Sequence, residues 1–247
     1  MIKSIYLFII TLSFVLSSNQ VFAHASTISK DTLDSYSGRK YMEGSSGFIQ
    51  FHLSHGCRND TRTKTYATKK VTTVFPNAND LSGVAYTKDG QGNLYSGNAL
   101  IGVKPKIDSD WDKIKIFRGI VPEYYNHSAA NSDVRSIHWL GGKVPDNMYE
   151  NLHIKASLPV LDNCVSRLRV YIPIVQYCED DHILAWMREA TSSFPENVIS
   201  KGYAPYIDIV RNLSKNPLPG SCNNNGQTKE VYPSEADIEK YLPLKDD

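Results

Sequence analysis

Several absences narrow the function of this 247-residue chain before any motif is read. Beyond the first 23 residues there is no apolar run approaching the ~20 residues that a membrane-spanning helix needs, so no transmembrane segment is expected after the leader. The four cysteines include no C-x-x-C pair, which argues against a structural zinc site or a thioredoxin-like redox motif. Lys and Arg nowhere form a block and the net charge is only +1, so nucleic acid is not an expected partner. The alternating lysines 104, 106, 113 and 115 instead read as the wet faces of strands. Neither G-x-S-x-G nor H-E-x-x-H occurs, which removes the two commonest hydrolase signatures, and no internal repeat is present.

What is present begins with an export signal, residues 1–23. Lys3 supplies the positive n-region, Ile5 to Leu16 is apolar apart from Thr11 and Ser13, and small or polar residues lead to Val21-Phe22-Ala23. The chain is therefore expected to be exported and soluble, in the periplasm or outside the cell. A cut after Ala23 makes His24 the first residue. Its α-amine and Nδ1 then close a six-membered chelate ring, and two nitrogens completed by oxygen suit the tetragonal preference of Cu(II). Ala23-His24-Ala25 also offers an A-x-A match, and a cut after Ala25 would discard the histidine. Composition does not choose between the two. Outside the cytosol an even number of cysteines implies two disulfides among Cys57, Cys164, Cys178 and Cys222, in any of three connectivities.

The remainder reads as an all-β domain. Ile49, Phe51 and Leu53 alternate with Phe48, Gln50 and His52, the period-two signature of a strand with one buried face. Further strands are expected at 69–75, 111–117, 134–139, 152–158, 182–186 and 206–210. The clearest one carries Leu168, Val170, Ile172 and Ile174 on one face. The segment 77–102, dense in Gly, Asn, Asp and Ser, reads as a long loop with room for a hairpin. After Asn212 an irregular Pro/Gly/Asn-rich tail leads to one short helix, 234–241, with Ser234 as cap. Seven or more short strands with few helices make a β-sandwich.

Three local constellations have chemical readings besides plain structural ones. Cys178-x3-His182-x4-Met187 follows the order of a blue-copper loop, which requires a free thiolate, whereas a disulfide at Cys178 is the expected state in an exported chain. Glu179, Asp180 and Asp181 could hold a cation or simply form a solvated turn. Tyr124, Tyr125 and His127 could form a binding surface or an ordinary sandwich edge.

Several motifs in order resemble the YcnI-like copper-binding domain family. They are Ser54-His55-Gly56-Cys57 with the Thr-rich loop behind it, Gly102-Val103-Lys104-Pro105 leading to Trp111, and Phe117-Arg118-Gly119. Val134 to Gly142, Val144 to Tyr149, and Ile172 to Asp180 followed by Trp186 complete the series. The resemblance runs over about 24–212, leaving 213–247 as a C-terminal tail. It implies a cupredoxin-like or immunoglobulin-like β-sandwich that binds Cu(II) through a single-histidine brace at the mature N-terminus. His24 is then the first ligand and the cut after Ala23 is favoured. The tryptophan that sits beside the metal in that family corresponds to Trp186, which has no ordinary Cu(II) ligand atom and would shield or tune the ion. The family's acidic position is occupied by Lys40, so the nearest carboxylate, Glu43, becomes the expected third ligand. The resemblance also implies a Cys57–Cys178 bridge, because both lie in its cysteine-bearing motifs, and with it a Cys164–Cys222 bridge.

The function expected from these readings is non-enzymatic: a copper-binding protein of the bacterial envelope for delivery, storage or detoxification, whose partners would be other envelope copper handlers. Two alternatives accompany it. A second histidine beside His24, from among His52, His55, His127, His138, His153 and His182, would make a two-histidine brace of the oxidative polysaccharide-cleaving type. A purely structural sandwich without metal is the other.

Overall fold

A computed structural model of the chain describes residues 25–28, 39–59, 61, 63–81, 83–88, 94–95, 98–121, 132–162, 164–187, 198–202, 204–222 and 226–243. The expected signal peptide and His24 lie outside the described residues. Nineteen strands are present among the described residues. The first nine are β1 (Ser26–Ile28), β2 (Arg39–Met42), β3 (Ser46–Leu53), β4 (Cys57–Arg58), β5 (Thr65–Tyr66), β6 (Thr68–Val74), β7 (Ala85–Lys88), β8 (Leu94–Tyr95) and β9 (Ile101–Pro105). There follow β10 (Lys113–Ile120), β11 (Ser132–Val144), β12 (Glu150–Ser157), β13 (Val160–Leu161), β14 (Val165–Tyr171) and β15 (Ile174–Cys178). The last are β16 (Ile183–Trp186), β17 (Val198–Gly202), β18 (Tyr206–Val210) and β19 (Gln227–Val231), and one helix, α1 (Glu235–Tyr241), closes the chain.

The architecture is a β-sandwich. Two four-stranded sheets, ordered β1-β3-β12-β9 and β19-β14-β18-β2, enclose a core with a six-stranded sheet ordered β10-β11-β6-β15-β16-β17. The alternation of β3 explains its place: Ile49, Phe51 and Leu53 are fully buried, while Phe48 on the opposite face is 69% exposed. Leu152 and Ile154 of β12 and Ile137 and Trp139 of β11 join them, as do Leu168, Val170, Ile207 and Ile209 of the second four-stranded sheet. Burying a side chain of this size contributes roughly 1.5–3 kcal/mol, so this single core dominates the stability.

The run 168–174 is not one strand. β14 ends at Tyr171, β15 begins at Ile174, and the two belong to different sheets. Pro173 has no N–H to extend a ladder, so pairing stops there and the chain crosses between the sheets. Ile172 and Ile174 are both fully buried, so the crossing passes through the core and the alternation continues unbroken in the sequence.

The segment 77–102 carries more order than a loop. Its β7 and β8 form an antiparallel hairpin, and β7 also pairs with β13. The tail is likewise built into the sandwich. β19 lies parallel to β14 as an edge strand, which the irregular reading of the tail did not include. The helix forms as expected, with the Ser234 side chain accepting from Asp237 N. Ile238, Tyr241 and Leu242 pack on Val74, Val175, Ile183, Ala185 and Met187, a second small core on the outer face of the six-stranded sheet.

Both disulfides are as the resemblance implied: Cys57–Cys178 joins β4 to the end of β15, and Cys164–Cys222 pins the tail beside β14. No cysteine is free, so Cys178 has no thiolate to offer and the blue-copper reading of 178–187 is excluded. Among the described residues no helix is long and apolar enough to cross a membrane.

Candidate functional site

Trp186 ends β16 on the core side of the six-stranded sheet and is 4% exposed. A buried indole N–H needs an acceptor, and Nε1 donates to Oε1 of Gln176 at 2.7 Å. Gln176, on the neighbouring strand β15 and 1% exposed, uses its amide nitrogen on two further acceptors, Thr68 Oγ1 at 2.9 Å and the His55 carbonyl at 3.1 Å. The direction of the amide is settled by its neighbours. An indole N–H can only donate and a carbonyl can only accept, so a flipped Gln176 would face a donor with a donor and an acceptor with an acceptor. The network thus ties β16, β15 and β6 to the turn that follows β3.

That turn is Ser54-His55-Gly56-Cys57, and its shape depends on glycine. A Cβ at Gly56 would collide with the Tyr66 carbonyl and lie 3.0 Å from that of Val144. The close backbone approach holds His55 against the loop after β11. His55 Nδ1 faces its own turn's Gly56 carbonyl and lies 3.6 Å from Asp146 Oδ1, with the side chain 14% exposed. Asp146 is in turn held by Arg58, which donates from Nε at 2.7 Å and from an Nη at 3.0 Å. The hydrogen bond to this carboxylate raises the Arg58 guanidinium above its ordinary value, against the opposing effect of burial. Because the Gly56 carbonyl is acceptor-only, the proton of a neutral His55 ring resides on Nδ1 and Nε2 keeps its lone pair. No hydrogen bond engages Nε2 among the described residues.

Strand pairing puts this corner beside the start of β1. β1 runs antiparallel to β3 with Ser26 opposite His52, so the chain enters the sandwich at the end of β3 from which His55 continues. Ala25 is already buried in the same core as Trp186.

Glu43 is elsewhere. It precedes β3 at the opposite end, and the strand from Ser46 to Leu53 separates the two ends by about 24 Å at ~3.4 Å per residue. Its 6%-exposed carboxylate accepts from Leu161 N at 2.6 Å, Asn212 N at 2.7 Å and Asn216 Nδ2 at 3.1 Å. A carboxylate so engaged anchors the chain after β18 and has little left for a metal. Strand register thus sets the start of β1 at the end of β3 that leads to the His55 turn, whose carbonyl is bonded to the amide holding Trp186, and sets Glu43 at the other end. What the sequence reading missed is the role of Gln176, which lies inside one of the motifs without any spacing signal of its own.

The other described histidines are occupied or distant. His138 meets the Tyr241 carbonyl under α1 at 2.9 Å, His153 contacts Gln50, and His182 packs its ring on Tyr66 with centroids 3.7 Å apart. His52 faces outward, bonded to Asn151 Oδ1 at 2.9 Å and beside the Tyr149 ring. His127 lies outside the described residues, as do Tyr124 and Tyr125. Among the described residues no three His, Cys, Asp or Glu side chains form a ready-made metal cluster. A cavity of about 670 Å³ lies on the far side of Cys178, lined by Lys64, Lys69, Lys70, Tyr177, Asp181 and His182. Ion pairs Lys64–Asp180 at 3.0 Å and Lys69–Glu179 at 3.6 Å belong to it, and they make the acidic run 179–181 a solvated, lysine-paired turn. None of Trp186, Gln176 or His55 lines it, so volume and candidate chemistry do not coincide.

Residues 93–200 match the family model described as a domain of unknown function, DUF1775. That stretch is similar to the DUF1775 family. The DUF1775 match includes Gln176, Cys178 and Trp186, while His24, Glu43, His55 and Cys57 lie before it. An uncharacterized protein from Nocardia farcinica, whose crystal structure is described as having an immunoglobulin-like fold, is similar at 14% identity. The similarity covers 76% of this chain and 99% of that one, with a TM-score of 0.41. No curated protein matches the chain.

Among the described residues this corner offers one ring nitrogen without a hydrogen bond, His55 Nε2, and a buried indole whose N–H is bonded to Gln176.

Proposed function

We propose that the exported chain begins at His24 and binds Cu(II) through the α-amine and Nδ1 of that residue, beside Trp186, as a non-enzymatic copper carrier or store of the bacterial envelope. The observation that carries this reading is the convergence at one corner of the sandwich of the start of β1 and the Trp186–Gln176–His55 chain. The family resemblance and the two disulfides support it, since bridged cysteines belong to oxidising compartments.

When bound, copper supplies a Lewis-acidic, redox-active centre that can be passed to a partner. The protein's own contribution is to hold the ion. His24 provides the chelating nitrogens, Trp186 shields them with an indole fixed by Gln176, and Glu43 serves the fold. The α-amine must be deprotonated to bind, and its reference pKa is ~7.7–8.0. Apparent affinity therefore falls by about tenfold for each pH unit below that range from this proton alone. Other envelope copper handlers are the expected partners.

Intact mass of the exported protein with and without Cu(II) tests the reading. The expected result is a chain starting at His24 that carries one copper and loses it in His24→Ala. A chain starting at Ser26, or copper binding unchanged by His24→Ala, would end the proposal.

A further inference from the structure

We propose that the cavity of about 670 Å³ beside Cys178 binds a small zwitterion of the dipeptide class, with its carboxylate on Lys70 and its ammonium on Asp181. The site is separate from the copper reading, because none of Trp186, Gln176 and His55 lines it, and either stands without the other.

The charges in the cavity wall select the ligand class. Three lysines and three carboxylates line it, and two couples neutralise each other: Lys64 with Asp180 at 3.0 Å and Lys69 with Glu179 at 3.6 Å. Lys70 and Asp181 remain. Among the described residues neither side chain takes part in an ion pair or a hydrogen bond, so one cation and one anion line the same space without a protein partner. Strand register sets what lies between them. Lys70 on β6, Tyr177 on β15 and Ile183 on β16 are successive cross-strand neighbours, a row roughly 10 Å wide at ~4.8 Å per strand, and Asp181 stands in the turn just before Ile183. Opposite charges at the two ends of this ring-and-aliphatic floor match a molecule with charged ends and a short uncharged middle. A simple anion would meet Asp181, and a simple cation would meet Lys70.

The wall is formed in advance. Cys178 N donates to the His182 carbonyl at 2.8 Å and Glu179 N to the Ala67 carbonyl at 3.0 Å, while the Cys57–Cys178 bridge fixes the strand end. The Tyr66 ring packs on that of His182, with centroids 3.7 Å apart, and Lys64 Nζ lies 4.7 Å from its centre. Groups held in this way lose little freedom when a ligand arrives, and the volume lies within the roughly 300–1,000 Å³ of small-molecule sites. The turn adds a second sign. Asp180 and Asp181 both have positive φ, 54° and 56°, a backbone for which Asn-Gly is the favoured pair in a two-residue hairpin turn. The chain carries aspartates there instead and tolerates the strain, which places a carboxylate at the cavity where glycine would fit the backbone better.

Amide NMR of the exported chain, titrated near neutral pH and at low salt with L-alanyl-L-alanine, its N-acetyl derivative and its C-terminal amide, tests the site. Saturable shifts confined to 64–70 and 177–183 are expected with the free dipeptide, and each capped form should bind about fivefold more weakly. Lys70→Met should bind the free dipeptide and its amide equally. Asp181→Asn, whose side chain also tolerates positive φ, should bind the free and acetylated forms equally. No saturable shift at tens of millimolar dipeptide, equal binding of the three compounds by the wild type, or a capping penalty unchanged in the matching variant overturns the proposal. The wild-type comparison does not depend on whether either variant folds, and the same spectra report the fold of each.

Discussion

The two faces of the six-stranded sheet carry buried polar clusters built from similar parts and finished differently. On the outer face, beneath α1, Thr72 Oγ1 donates to the Leu242 carbonyl at 2.6 Å, and Ser136 Oγ and His138 Nε2 both meet the Tyr241 carbonyl, at 3.0 and 2.9 Å. These side chains take the place of the partners that the last carbonyls of a helix lack. On the inner face, Trp186, Gln176 and Thr68 are matched donor to acceptor, but their chain of bonds leads to a turn whose histidine keeps Nε2 unengaged. Neighbouring residues divide the work: Trp186 belongs to the inner core and Met187 to the outer one. A histidine that caps a helix has both its position and its nitrogen committed to the fold. One that is braced on Nδ1 and open on Nε2 is equipped for a ligand.

The two disulfides test this contrast most severely. Cys57–Cys178 spans 121 residues and ties the His55 turn to β15, so replacing both cysteines with alanine should cost about 5 kcal/mol of stability and also weaken copper binding. Cys164–Cys222 spans 58 residues in the tail, and its removal should cost a similar amount, about 4 kcal/mol, with copper affinity unchanged. Denaturant unfolding read beside copper titration checks both, and equal loss of copper affinity in the two variants would break the comparison.

A smaller change at the inner cluster is Gln176→Leu, which removes the acceptor that Trp186 Nε1 uses. The expected cost is about 2–3 kcal/mol, together with a shifted Cu(II) EPR spectrum and altered Trp quenching by copper. Gln176→Glu should restore the acceptor for the indole and recover part of the spectrum. At the outer cluster His138→Phe should cost only about 1 kcal/mol, because Ser136 still donates to the same carbonyl. Its signature is faster proteolysis after residue 212, with copper binding untouched. A copper effect from His138→Phe would place the tail in the site and end the division of the two faces.

Most of the strand inventory was legible because period-two burial leaves its mark on the residue order. β3, β18 and the cap of α1 fell where alternation and Ser234 placed them. The candidate site was legible only in part. The disulfide partners were legible only through the family resemblance. Gln176 gave no signal, since a glutamine on an alternating strand reads as an outward polar residue until a buried indole is found needing its oxygen. Glu43 misled because nearness in sequence to Lys40 says nothing about which end of β3 it occupies.

What the sequence determined by itself was the all-β character and an even number of cysteines. These follow from local alternation, composition and covalent chemistry. The tertiary structure decided that Pro173 divides one apolar run between two sheets, that Glu43 is a structural anchor, and that the Gln176 amide joins Trp186 to the turn after β3. Those outcomes depend on strand order and register, which join residues more than a hundred positions apart and leave no periodic trace in the chain.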